Sequence, residues 1–217
     1  FFSLDMLGES ALCQRDADHF FQKYHHAIDE IIRSQLQQKV SLSIKLSALH
    51  PRYEYRHENR CVNELTQVLT PLVLLANKHH IDLTIDAEEA DRQDLGLKVF
   101  SQLYTHSACG KGAHLGLAVQ AYSPRCISLL KYLKHLSECS GRKIAVRLVK
   151  GAYWDSEIKQ AQIDGLSHYP VFTHKNNTEI AYLVCADYLL ENRHCFYPQF
   201  ATHNAVTICD ILQRATP

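Results

Sequence analysis

The sequence lacks the long apolar runs that membrane-spanning helices require. Its uninterrupted apolar runs, such as Leu72–Ala76, are short, whereas a spanning helix needs roughly 18 to 20 such residues. A signal-peptide pattern is also missing. We therefore expect no membrane-spanning helix, but peripheral attachment stays open, because a docking patch need not leave an apolar run in the sequence.

An excess of charge of either sign is missing as well. Lys plus Arg and Asp plus Glu both number 23, so no overall field points to nucleic acid or to an acidic membrane surface. The chain of 217 residues is 46% hydrophobic and 21% charged, which is typical of a folded globular domain. We expect no contact with nucleic acid from these residues.

Metal-binding and disulfide motifs are absent too. The fourteen histidines and eight cysteines form no C-x-x-C pair, no H-E-x-x-H motif and no Cys/His ligand cluster in sequence. The sequence therefore does not indicate a metal. We interpret the cysteines as reduced, mostly buried thiols of a cytosolic protein.

What the sequence does contain is a regular alternation of strand-like and helix-like runs. The predicted strands are a run ending at Leu4, Val40–Leu46, Ile81–Asp86, Leu115–Gln120, a fully buried run from Lys143 to Lys150, and Cys195–Phe200. Helical spacing follows each of them. The helices are predicted from Phe20 to Leu36, from Val62 to Ala76 with a kink at Pro71, around Leu95–Leu103, after a Ser123 cap with Pro124 in the first turn, near Trp154, through Ile180, Leu183, Val184 and Leu190, and from Asn204.

Successive strand-helix units of this kind imply a parallel sheet with right-handed crossovers. Two architectures fit, an open doubly wound sheet and a (β/α)8 barrel. Polar residues close every predicted strand: Asp5, Lys45, Asp86, Gln120, Arg147 with Lys150, and Thr202 with His203. A pocket supplied by every strand favours the barrel. An open sheet would place its site at one switch point, usually with a Gly-rich loop, and Gly110–Gly116 has the wrong spacing for that loop. We expect α/β class and a TIM-type barrel that is incomplete here, with about six βα units, the last two missing, over residues 1–217 as one partial domain.

Arg147 stands inside an apolar strand, where an unpartnered cation would be costly. Two interpretations are open. It forms a structural ion pair with Asp86 or Asp5, or it is a fixed cation that stabilises negative charge on a bound cofactor or substrate.

Lys45 presents the same choice, between an ion pair with Asp86 and a functional role. In the second case it holds a substrate carboxylate or forms a Schiff base. The acidic run from Asp86 to Arg92 is interpreted mostly as a solvated helix start, and only Asp86 is selected from it as a site residue.

Gly151, Tyr153 and Trp154 follow the fifth strand. The glycine permits close backbone approach, and the aromatic rings either pack in the core or form the wall of a flat ring site. A planar, electron-accepting cofactor suits these residues better than a phosphosugar.

Several motifs resemble the proline dehydrogenase domain of bacterial proline utilization A. They cover the whole chain in the family's order: DMLGE (Asp5–Glu9), KLSALHPRY (Lys45–Tyr53), IDAEEADR (Ile85–Arg92), VQAY (Val119–Tyr122), RLVKGAYWD (Arg147–Asp155) and YPQFATHN (Tyr197–Asn204). The resemblance implies a distorted (β/α)8 barrel with FAD that oxidises L-proline to Δ1-pyrroline-5-carboxylate and passes electrons to membrane quinone.

The same resemblance implies roles for individual residues. Arg147 would lie against the reactive nitrogen edge of the flavin and stabilise the reduced, anionic ring. Lys45 would pair with the proline carboxylate, Asp86 would organise the cations, and Tyr153 and Leu148 would line the substrate pocket. Asp5 and Glu9 would form a polar gate. The FAD site would include Gln120, Arg147, Lys150, Gly151, Ala152, Tyr153, Trp154, Thr202, His203 and Asn204.

The resemblance further implies a cytoplasmic protein, peripheral on the inner face of the bacterial membrane, whose longer parent is an oligomer. The chain departs from the family in lacking barrel units seven and eight. This departure keeps open a catalytically incompetent fragment that acts only as a scaffold or oligomerisation module. A Schiff-base barrel lyase using Lys45 or Lys150 is a second alternative.

Overall fold

The structure is a computed structural model that describes residues 2–6, 10–34, 39–106 and 115–216. The predicted gate residue Glu9, together with Leu36 and Cys109, lies outside the described residues. The strands are β1 (Phe2–Leu4), β2 (Val40–Ile44), β3 (Asp82–Ile85), β4 (Leu115–Gln120), β5 (Ile144–Val149) and β6 (Phe196–Phe200). The helices are α1 (Gln14–Arg33), α2 (Leu46–Leu49), α3 (Glu58–Lys78), α4 (Gln93–Thr105), α5 (Cys126–Ser140), α6 (Trp154–Ile163), α7 (Lys175–Glu191) and α8 (Ala205–Ala215).

The chain divides into two compact units, and β4 contributes to both. Unit 1 comprises residues 1–87 and 91–117, and unit 2 comprises residues 88–90 and 118–217. The prediction of one partial domain over residues 1–217 stays a prediction.

In unit 1 the strands pair in parallel in the order β1, β2, β3, β4. The register runs from Phe2 opposite Val40 through to Ile85 opposite Leu117. Both faces of β2 and β3 are buried, as expected for parallel strands covered by helices. The core of this unit includes the fully buried side chains Tyr24, Ile28, Leu42, Ile44, Leu65, Leu69, Leu72, Phe100 and Tyr104.

In unit 2 the second half of β4 is followed in the sheet by β5 and β6. Strands β5 and β6 pair in parallel from Ile144 opposite Phe196 to Leu148 opposite Phe200. The core of this unit includes Leu130, Leu133, Ile144, Val146, Tyr182, Leu189 and Phe196. In each unit, consecutive strands are neighbours and run parallel, so the predicted chain order of the strands is confirmed.

Strand β5 differs from its prediction. It was expected to be fully buried, but buried and half-buried residues alternate along it. Ile144, Val146 and Leu148 form the buried face, while Arg147 lies on the half-buried face. Arg147 is therefore a partly accessible cation, which removes much of the energetic difficulty that its sequence position suggests.

Several predicted boundaries were also wrong. Strand β2 ends at Ile44, so Leu46 belongs to α2. The N-cap of α5 is Arg125 rather than Ser123, whose hydroxyl instead accepts a hydrogen bond from the Arg125 N–H at 3.2 Å. Helix α3 runs from Glu58 to Lys78 with Pro71 inside it, and the kink predicted at Pro71 stays a prediction.

Helix α7 buries a different face from the one its apolar residues predict. Ile180 and Val184 are 62% and 50% exposed. The buried residues of this helix are Thr178, Tyr182, Cys185, Ala186 and Leu189. The packed face of α7 therefore does not include Ile180 and Val184.

The prediction of mostly buried cysteine thiols is confirmed in the described part of the chain. Seven are free thiols, and four of these, Cys61, Cys126, Cys185 and Cys195, are buried. None of the helices described is both long and apolar enough to cross a membrane.

Candidate active site

Unit 1 brings Asp5, Lys45 and Asp86 to the carboxyl ends of β1, β2 and β3. The Lys45 ammonium lies 3.2 Å from a carboxylate oxygen of Asp5. The Asp86 N–H donates to the Ile44 carbonyl at 2.9 Å, which fixes the end of β3 beside the residue that precedes Lys45. The Lys45 side chain is only 14% exposed, whereas that of Asp5 is 52% exposed. This corner therefore offers a well-held cation with an accessible carboxylate beside it.

A buried tyrosine supports this corner from α1. The Tyr24 hydroxyl accepts a hydrogen bond from the Lys45 backbone N–H at 3.1 Å. Burial raises the pKa of Tyr24 to about 12, and the charges of Lys45, Asp86 and Asp5 also act on it. Tyr24 is thus a neutral hydroxyl at physiological pH, and it fixes the backbone from which the Lys45 side chain extends.

Unit 2 uses Gln120, at the end of β4, to tie two loops together. Its side-chain carbonyl accepts from the Ala152 N–H at 3.1 Å, and its amide nitrogen donates to the Glu88 carbonyl at 2.9 Å. Gln120 is almost completely buried. The loop after β5 is therefore anchored to residues 88–90 through one amide side chain.

Glu157, in the first turns of α6, supplies a second tie. Its carboxylate accepts a hydrogen bond from the Ala90 N–H at 2.6 Å, and the residue is buried. Residues 86–92 were expected to be mostly solvated, but among them only Asp91 is exposed. The segment is mostly half-buried rather than solvated, because Gln120 and Glu157 hold the backbone at Glu88 and Ala90 against unit 2.

Gly151 allows the loop after β5 to pass directly over an aromatic ring. Its φ of 142° is a conformation that side-chain-bearing residues rarely adopt, and an added Cβ would lie 2.3 Å from the Tyr122 ring. Tyr122 is buried, and its burial raises its pKa. Close backbone approach was predicted here, and the partner is Tyr122.

A cavity of about 400 Å³ lies beside this loop. It is lined by Tyr122, Lys150, Gly151, Trp154, Thr173, Lys175, Thr178 and Glu179. Lys150 lies 2.5 Å from a carboxylate oxygen of Glu179, and its ammonium is 5.9 Å from the centre of the Tyr182 ring. The Trp154 ring N–H donates to the Phe172 carbonyl at 2.8 Å. The lining of the cavity thus combines aromatic rings with ammonium, hydroxyl and carboxylate groups.

Part of this lining was missed by sequence reasoning. Thr173, Lys175, Thr178 and Glu179 lie in or beside the first turns of α7, far along the chain from the Gly151 motif. The signal that was available is the polar character of the start of α7. The first turn of a helix also presents unpaired N–H groups, which favour anions.

Arg147 and Gln199 are register partners on neighbouring strands, so their side chains share one face of the sheet. The side-chain nitrogen of Gln199 is buried and donates to no acceptor in the described part of the chain. A buried donor of this kind normally has a partner. Leu148 lies on the opposite face of β5 and is fully buried, so it presents no surface to a ligand in this structure, and its pocket-lining role stays a prediction.

The remaining predicted residues lie at strand or helix ends of unit 2. Tyr153 is half-buried and forms the N-cap of α6. The Thr202 hydroxyl accepts from the Asn204 N–H at 3.1 Å. Asn204 caps α8, as predicted, through hydrogen bonds from the N–H groups of Val206 and Thr207. His203 is exposed just after β6. Their proposed ligand contacts stay predictions.

Comparison with known proteins places these residues in a family. The profile of the Proline dehydrogenase family matches residues 1–217. The Bifunctional protein PutA of Escherichia coli (strain K12) is 44% identical over 218 residues, covering 99% of this chain and 16% of that protein. This chain thus spans about a sixth of the length of that curated relative.

Solved structures agree with the sequence comparison. A mutant of Bradyrhizobium japonicum Proline Utilization A matches with a TM-score of 0.95 at 43% identity, covering 99% of this chain and 22% of that chain. Proline utilization A from Bdellovibrio bacteriovorus, inactivated by N-propargylglycine, matches with a TM-score of 0.94 at 28% identity, covering 99% of this chain and 24% of that chain. These matches confirm the predicted α/β class and the TIM-type barrel family of folds.

Proposed function

This chain belongs to the proline dehydrogenase family, and from that premise we propose that it forms the FAD-binding part of an enzyme that oxidises L-proline to Δ1-pyrroline-5-carboxylate. The observation that carries the proposal is the cavity beside Gly151. Three residues selected from the sequence as FAD ligands, Lys150, Gly151 and Trp154, line it together.

The residues of this cavity fit FAD in their chemistry. Lys175 supplies positive charge for a diphosphate, and the start of α7 adds backbone N–H groups. The Lys150 ammonium also lines the cavity, where it is paired with the Glu179 carboxylate at 2.5 Å. The Thr173 and Thr178 side chains supply hydroxyls for phosphate or ribose oxygens. Around Arg147, the buried side-chain nitrogen of Gln199 is a donor that awaits an acceptor, which an acceptor-rich flavin ring would provide.

When bound, FAD supplies the acceptor for the hydride that leaves the ring carbon of proline. The chain's own residues bind and orient the reactants. The Lys45 ammonium would hold the proline carboxylate, because its present partner Asp5 is half-exposed and exchangeable. Arg147 would place a fixed positive charge where negative charge increases during the reaction. Asp86 and Tyr24 would position Lys45.

The electron acceptor of the second half-reaction is proposed to be a membrane quinone. That step would bring the parent protein to the inner face of the bacterial membrane as a peripheral, cytoplasmic protein, and the parent is proposed to be an oligomer. These proposals rest on family membership alone.

The test is the visible absorbance of the purified chain before and after anaerobic addition of proline. Flavin bands that bleach with proline are the expected result. A chain that retains flavin without bleaching, or a colourless chain, would favour the scaffold alternative. Borohydride trapping of a carbonyl substrate on Lys45 or Lys150 would instead identify a Schiff-base lyase.

A further inference from the structure

We propose that Glu138, His194 and Cys195 form a binding site for a zinc ion. One ligand atom from each residue lies within 4.8 Å of the other two. Thiolate, imidazole and carboxylate groups are the three side-chain types that zinc uses in proteins. Glu138 lies in the last turn of α5, and His194 and Cys195 lie in the turn before β6. Because these segments are far apart in the chain, the three residues form no contiguous sequence motif.

The backbone of Cys195 is held in place by its own hydrogen bonds. Its N–H donates to the Asn192 carbonyl at 2.9 Å, and its carbonyl accepts from the Ile144 N–H at 2.9 Å. The Ser137 hydroxyl donates to the same carbonyl at 3.0 Å. Because Ser137 directly precedes Glu138, this bond fixes the end of α5 against the start of β6. The backbone segments that carry Cys195 and Glu138 are therefore held together without a metal.

The accessibilities of the three side chains suit metal capture. Cys195 is buried, whereas Glu138 and His194 are exposed. Two ligands of one tetrahedral zinc lie roughly 3.5 Å apart, given bond lengths of about 2.0 to 2.3 Å. The two exposed side chains need to close by only about 1 Å to reach this spacing around the fixed thiol. A water molecule would complete the four ligands.

The local charges permit this rearrangement. The Glu138 carboxylate faces the Lys134 ammonium at 3.8 Å, and both groups have exposed surface. An exposed ion pair of this length contributes little to stability, so a metal displaces it at small cost. On binding, the Cys195 thiol loses its proton to solvent and a sulfur–zinc bond forms. The sulfur ligand selects zinc-class ions over magnesium or calcium.

The site is separate from the candidate active site of unit 2. His194 and Cys195 precede β6, whereas Thr202 and His203 follow it. The two groups therefore lie at opposite ends of β6. Bound zinc would join α5 to the start of β6, at the end of the strand away from Thr202 and His203. We therefore expect the metal content of the protein to be independent of its flavin content.

The test is cobalt titration of the purified, chelator-treated chain, with the thiolate-to-cobalt charge-transfer band as readout and zinc as competitor. We expect this band in the unsubstituted chain and its loss in the Cys195→Ser variant. The exposed residues give variants that keep the fold, and His194→Gln and Glu138→Gln should each weaken cobalt binding by about tenfold or more.

Cys139→Ser is the matched control. Its sulfur lies 3.5 Å from a ring nitrogen of His135 on the exposed side of α5, so it offers cobalt another Cys/His pair. The control should leave the band unchanged. The proposal is overturned if the unsubstituted chain shows no thiolate band, if the band survives Cys195→Ser, or if Cys139→Ser abolishes the band. It is equally overturned if His194→Gln and Glu138→Gln both bind cobalt with the affinity of the unsubstituted chain.

Discussion

Two lysines, one in each unit, follow strands and contact a carboxylate, yet their surroundings differ. Lys45 contacts Asp5 at 3.2 Å, and Asp5 is 52% exposed. Lys150 contacts Glu179 at 2.5 Å, and both side chains are about 30% exposed. Glu179 is held on α7, whereas Asp5 follows the short strand β1. A lysine with a loosely held partner suits an exchangeable substrate, and one with a fixed partner suits a resident cofactor.

The largest effect should come from a substitution in the backbone loop that follows Lys150. Gly151→Ala forces a Cβ into the Tyr122 ring at a φ that alanine rarely adopts. We expect a loss of about 3 kcal/mol in the free energy of unfolding and loss of flavin retention. Denaturant unfolding and absorbance measure both.

Gly141→Ala is the control for that experiment. Gly141 also has a positive φ, of 65°, but nothing lies within 4 Å of an added Cβ. Its cost should be about 1 kcal/mol, with flavin retained. Equal losses for the two variants would show that the Tyr122 contact is unimportant.

Arg147→Met tests the half-buried cation on β5. Removing one fixed charge that acts in the transition state typically costs on the order of 100-fold in rate. We expect flavin reduction by proline to slow by about this factor, or flavin retention to fall, in rapid-mixing absorbance measurements. Normal flavin content and an unchanged reduction rate would leave Arg147 with a structural role only.

Lys45→Ala and Lys150→Ala test the comparison directly. Loss of one charge-assisted contact is expected to weaken binding about tenfold or more. For Lys45→Ala the affected ligand should be proline, measured by spectral titration, with flavin retained. For Lys150→Ala flavin retention should fall instead. If either variant loses both ligands equally, the division of roles between the two lysines is wrong.

The smallest effect concerns the tyrosine under Lys45. The folded pKa of Tyr24 is about 12, above its ordinary value of 10, so the folded protein holds this proton more tightly. The contribution of this bound proton to the free energy of unfolding is complete below pH 10 and is lost as the pH rises from 10 to 12. Tyr24→Phe should lower the free energy of unfolding by about 1 kcal/mol at neutral pH. Above pH 10, denaturant unfolding should show a less steep loss of stability for this variant than for the unsubstituted chain.

Tyr182→Phe gives the corresponding measurement in unit 2, because burial also raises the pKa of Tyr182 to about 12. In the described part of the chain its hydroxyl donates long hydrogen bonds, of 3.4 Å, to the carbonyls of Leu148 and Ala201. We therefore expect a smaller neutral-pH loss than for Tyr24→Phe. An equal or larger loss for Tyr182→Phe would contradict this expected difference between the two hydroxyls.

The sequence by itself determined the strand order and the polar residues that close the strands. Both depend on local periodicity and on chain order, so β4 was predicted to the residue and Asp5, Lys45, Asp86 and Gln120 were all found at strand ends. The family motifs were readable for the same reason, because they are contiguous in the chain.

Only the tertiary structure decided which distant segments meet. The partners of Gln120, the buried carboxylate of Glu157 and the pairing of Lys150 with Glu179 depend on loops and helices packing against one another. The packed face of α7 and the half-buried setting of Arg147 were mispredicted because burial is a property of what covers a surface. The spacing of apolar residues along one segment does not specify which other segments pack over it.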